Sequence, residues 1–206
     1  MSHNHNHEGC SDGHNHDIPE SEGFRDNLFS KIDRQNVVAL NVENRPGSDV
    51  IKPWSDRLDE QVYIESDADD QIIIRIPFTG SVKLRALLLK AGPTDQTPAK
   101  VAIYGNLENT DFSDIVDIKP TQEFNVAEGR DVGEYHVMPA KFPNVTSVTL
   151  FFPASQGAET TRIYYIGFLG QWSERKSEPL ITVYESKPNL ADHPKLAEAY
   201  LSTPDF

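Results

Sequence analysis

The chain has 206 residues, a length that suits one domain with a sizeable core of its own. Hydrophobic residues make up 37% and aromatics 9%, enough apolar matter to offset the entropy of ordering, which excludes a wholly disordered polymer. Nineteen Lys and Arg against 32 Asp and Glu leave a formal charge of −13. That sign repels phosphate backbones, so nucleic acid is not an expected ligand.

Residues 1–22 are built mainly from His, Asn, Gly, Ser and acids, with Ile18 the one β-branched residue. A stretch of this composition cannot form a core and reads as a disordered tail. His3, His5, His7, His14 and His16 recur in it, so several imidazoles could wrap one zinc, nickel or copper ion, weakly. The competing reading is a solvated low-complexity tail, and no resident cofactor is expected. Cys10 is the only cysteine, which rules out an intramolecular disulfide and a C-x-x-C pair and suits a reducing compartment. No basic and apolar leader opens the chain, and apolar runs such as Val148–Phe152 are far too short to span a bilayer. The expectation is a cytoplasmic and nuclear protein without a membrane partner.

Phe24, Leu28, Phe29 and Ile32 recur at three- and four-residue steps and predict a short helix over Phe24–Ile32. Beyond it, short apolar runs alternate with turn residues, the signature of a sandwich or barrel. The predicted strands are Tyr63–Ile64, Gln71–Ile76, Val82–Lys90, Lys100–Tyr104, Thr121–Val126, Gly133–Val137, Val145–Phe152, Arg162–Leu169 and Leu180–Tyr184. No long helical period separates them, which excludes a parallel doubly wound sheet. In Arg162–Leu169 both faces carry large apolar residues, as in a central strand. Val148, Leu150 and Phe152 alternate with Ser147 and Thr149, which predicts one solvated face. Residues 186–206 read as a C-terminal tail.

Three segments in order carry a resemblance. They are Glu65-Ser66-Asp67-Ala68-Asp69-Asp70-Gln71 running into Ile76-Pro77-Phe78-Thr79-Gly80, then Phe142-Pro143-Asn144-Val145, then Thr160-Thr161-Arg162-Ile163-Tyr164-Tyr165-Ile166-Gly167. The stretch resembles the PITH domain, over about Phe24–Glu185, and within that family it is most similar to stand-alone members lacking a thioredoxin domain. The resemblance implies an all-β jelly-roll sandwich of the galactose-binding-like type, here over residues 23–185. It also implies association with the proteasome regulatory particle. The expected function is a non-catalytic interaction module, monomeric when free; the alternative is a small-ligand or carbohydrate-binding jelly roll.

Glu65, Asp67, Asp69 and Asp70 could line one side of an extended loop around calcium, but the glycine and distal glutamate of an EF-hand loop are missing. Asp residues that cap neighbouring amides are the other reading, and an acidic docking edge for a basic partner is a third. Trp54, in a polar loop with Asp56, Arg57 and Asp59, is either an interface anchor or a plug over a sandwich end, as is Trp172. Only His136 and His193 outside the tail could act as general bases, and His136, alternating with Tyr135 and Val137, is expected as a packed imidazole.

Overall fold

The computed structural model describes residues 26–43 and 45–174. These all fall in the first of two units, Met1–Arg175; the second, Lys176–Phe206, lies outside them. So do the expected strand Leu180–Tyr184, His193, Cys10 and the five tail histidines.

Among the described residues, eight strands and one α-helical turn make up the frame: β1 (Val38–Leu40), β2 (Ile64–Glu65), β3 (Ile72–Ala91), β4 (Lys100–Gly105), α1 (Phe112–Ile115), β5 (Gln122–Asn125), β6 (Gly133–His136), β7 (Val145–Phe152) and β8 (Arg162–Ser173). All pairings are antiparallel. The organising element is β3. Residues 72–77 pair with β1 on one side and β7 on the other, while residues 81–91 lie between β8 and β6. One layer is therefore β1-β3-β7-β4-β5 and the other β6-β3-β8-β2. Ile72, Ile74 and Ile76 from the first half of β3 share one core with Leu84, Leu87 and Leu89 from the second, so the sheet folds over on itself as a sandwich.

The chain bends where it reads Pro77-Phe78-Thr79-Gly80. Pairing with β7 shifts register between Pro77 and Val82, and proline, which lacks a ladder donor, is tolerated at such an irregularity. Sequence patterning ends one strand at Ile76 and begins the next at Val82; the backbone instead stays extended between them and a single 20-residue strand results.

The helix expected over Phe24–Ile32 is, within the described residues, only a 3-10 turn at Phe29–Lys31. The segment gives its backbone bonds to the sandwich: Leu28 N–H donates to Phe168 O (3.0 Å), Gly170 N–H to Asp26 O (2.9 Å) and Asp33 N–H to Pro77 O (2.9 Å). Leu28 and Ile32 are still buried, so the spacing located the apolar contacts and not the backbone state. A second difference concerns β7. Ser147 and Thr149 are both 2% exposed, because the segment after β4 crosses the outer face: Thr149 Oγ1 donates to Leu107 O (3.0 Å) and Asn106 Oδ1 accepts from Thr146 N–H (2.7 Å). Ile73, Ala102, Tyr104, Ile115 and Phe151 form a second small core under this cover. Asp111 caps α1, accepting from the N–H groups of Ser113 (2.9 Å) and Asp114 (3.0 Å).

Candidate partner-binding surface

Asn41, the residue after β1, has a left-handed backbone (φ 59°), a conformation that asparagine tolerates better than most side chains. Its side chain organises the acidic turn that follows β2. Nδ2 donates to Asp69 Oδ1 (2.7 Å) and Gln71 O (2.7 Å), and Oδ1 accepts from Ala68 N–H (2.9 Å). Asp69 Oδ1 also accepts from Gln71 N–H (3.0 Å), and Asp70 Oδ2 from Ser155 N–H (2.7 Å). The Asp69–Gln71 bond is the local carboxylate-to-amide bond of a turn, while the Asn41 and Asp70 bonds fasten that turn to distant parts of the chain.

Glu65 is different in kind. Its carboxylate takes a two-pronged contact from Arg162 (Nε 3.1 Å, Nη2 2.7 Å) together with Gln96 Nε2 and Thr160 Oγ1, both at 2.8 Å. Burial pushes its pKa up, but the hydrogen bonds from Thr160 and Arg162 outweigh that and hold the carboxyl below its ordinary 4.5. The four acids are thus split: Glu65 and Asp70 tie β2 and the turn to the segment leading into β8, while Asp67 and Asp69 face solvent. Among the described residues no cluster of three or more His, Cys, Asp or Glu side chains converges as a cation would require.

Trp54 lies over the outer face of the β3/β8 layer. Its ring meets Tyr165 edge-on (centroids 6.5 Å, 69°), beside Ala86, Leu88 and Leu169. The Arg57 guanidinium stacks on Trp54 at 4.2 Å and donates to its carbonyl oxygen at 3.0 Å. Burial pushes the Tyr165 hydroxyl up to about 12, so it stays protonated. Asp59, from the same loop, is claimed by the buried Lys52, whose Nζ reaches Asp59 Oδ2 (3.0 Å), Asp59 O (2.9 Å) and Val62 O (2.6 Å). Backbone donation from Gln61 and the Lys52 contact hold the Asp59 carboxyl below its ordinary range. Trp172 packs against the main core, its ring under Lys31 Nζ (4.2 Å) and its edge against Gly80, where an added Cβ would lie 2.4 Å from Nε1.

His136 corrects the expectation of a packed imidazole. Its side chain is 68% exposed, and among the described residues Nδ1 meets Glu134 Oε1 at 3.5 Å. In the short edge strand β6 it falls on the solvent side, while the neighbouring Val137 is buried.

Pattern reading missed a groove of about 180 Å³ on the outer face of the β1/β3/β7 layer. Leu40 and Ile73 are cross-strand partners, as are Val38 and Arg75, and Arg75 and Thr149; Leu107, Asn109 and Thr110 form the opposite wall. Val38 is 47% exposed. The wall stands because Asn106 and Asn109 adopt left-handed conformations (φ 58° and 49°) in the chain after β4.

The described residues thus form an antiparallel sandwich whose acidic turn and Trp54 loop are tied down by their own hydrogen bonds. The PITH domain profile matches residues 19–188. PITH domain-containing protein 1 of Homo sapiens is 36% identical over 203 residues, covering 94% of each chain. A PITH domain-containing protein of Drosophila melanogaster is 38% identical over 199 residues, covering 95% of this chain and 94% of its own. This chain belongs to the PITH domain family. Among solved structures, the CBM32 domains of Clostridium perfringens ZmpB in complex with GalNAc superpose with a TM-score of 0.54 at 10% identity, over 73% of this chain and 38% of that one. The CBM32 and M60 catalytic domains of the same protein give 0.56 at 11%, over 76% and 16%. The fold is a galactose-binding-like jelly roll. Among the described residues no helix is long and apolar enough to cross a membrane.

Proposed function

We propose that this chain is a non-catalytic interaction module that docks on the regulatory particle of the 26S proteasome, in the cytoplasm and nucleus. The observation that carries this reading is the PITH match, which runs from residue 19 to residue 188 and so takes in the whole described sandwich. The geometry supports the coarser half of the proposal. Side chains that could have served chemistry are engaged elsewhere: Glu65 with Arg162, Asp59 with Lys52, and His136 outward beside Glu134. The carbohydrate-binding alternative draws on the jelly-roll fold alone, and fold does not fix ligand. Its one local match, the Trp54 loop, speaks against it, since Arg57 covers the indole and Lys52 occupies Asp59.

The test is co-sedimentation of the full chain with purified proteasomes. Recovery with particles that carry the regulatory particle, and not with the free core particle, is the expected outcome. Equal recovery with both, or with neither, overturns the proposal.

A further inference from the structure

The groove beside β1 combines three properties. Its floor and walls are largely apolar (Val38, Leu40, Ile73 and Leu107), and its volume of about 180 Å³ is on the scale of one large side chain. Its floor is backed from the opposite face, where the turn at Gly47 sits so tightly on β1 that a Cβ there would lie 2.6 Å from Ala39 Cβ. Its rim is acidic. At the Leu40 end Asn41 holds the exposed Asp67 and Asp69 turn; at the Arg75 end stands Glu108, 63% exposed. The cation at that end, Arg75, is already matched by Glu108 at 3.2 Å.

We propose that this groove is the docking site for a partner segment presenting one large apolar side chain flanked by Lys or Arg. The inference rests on the reading of the chain as an interaction module and names the face it uses. The apolar side chain supplies the anchor by filling the groove and covering Val38. The flanking cations meet the exposed Asp67 and Asp69, where rim charges act mainly by steering encounter.

The experiment follows methyl resonances of the full-length chain while a blocked peptide with a central leucine flanked on each side by three Lys or Arg residues is added. Saturable shifts at Val38, Leu40, Ile73 and Leu107 are expected. Replacing the central leucine by alanine, or the protein's Val38→Lys, is expected to weaken binding about ten-fold or more. Met138→Lys, at an exposed apolar residue after β6 that does not line the groove, should stay within about two-fold. The double variant Asp67→Asn and Asp69→Asn retains the capping oxygens and should bind more weakly with a flatter salt dependence. No saturable shift, shifts confined to another face, or equal affinity for the leucine and alanine peptides overturns the groove. Purified regulatory particles separate the two readings. If the wild type co-sediments and Val38→Lys does so equally well, the groove is overturned as the docking face. If the peptide binds as described and the particles do not, the proteasome reading fails and the groove stands.

Discussion

Glu65 shows how one side chain can look functional in a sequence and be structural in the fold. Its carboxylate joins β2 to β8 through Arg162 and closes the turn through Gln96 and Thr160. Hydrogen bonds to a charged, partly buried group are worth about 1.5–3 kcal/mol, so Glu65→Gln, which retains size and loses charge, should destabilise by about 1–3 kcal/mol in denaturant melts at pH 7. The sign of the pH dependence follows from the lowered pKa. A carboxyl held below its ordinary 4.5 contributes stability that is fully present above that value and is lost as pH falls through the folded-state titration. The gap between wild type and Glu65→Gln should therefore be constant from pH 7 to about 5.5 and narrow below about 4.5. A gap that persists unchanged into the acid range would show that the charge is not what Arg162 recognises.

At the scale of the elements, β8 was the most legible. Its alternation of Ile163, Tyr165, Gly167 and Leu169 with Tyr164, Ile166 and Phe168 predicts burial on both faces, and all of these residues are buried. Ile166 is 0% exposed and pairs with Leu89 in the main core. Ile166→Ala should cost about 2–5 kcal/mol, through lost transfer energy and a cavity that neighbouring strands cannot collapse; a loss below about 1 kcal/mol would mean the site is looser than its packing indicates. What pattern reading could not supply was cover from afar. Ser147 and Thr149 alternate as a solvated face should, and are buried only because residues 106–118, some 40 positions earlier, lie over them. The candidate groove has the same origin. Val38 and Leu107 have no relation in sequence and become opposite walls through β1 pairing with β3 and an asparagine-rich loop crossing β7. Local periodicity carries information about which side of a strand is apolar, and none about what comes to rest on the other side.

For the molecule as a whole, the acidic balance and the all-antiparallel layout were legible from composition and from the spacing of apolar runs, and the order of the layers was not. That order depends on β3 serving both. Because residues 72–77 belong to one layer and residues 81–91 to the other, neither layer can swing open while the strand between them stays in place. The sandwich should consequently open as a single cooperative unit and not as two independently breathing halves. Native-state amide hydrogen exchange gives this a direct reading. The slowest amides of β7 and of β8 should share one opening free energy, equal to that of global unfolding, and both should move together when Ile166→Ala weakens β8 alone. If the β7 amides kept their protection while those of β8 lost it, the two layers would be energetically separate despite the strand they share.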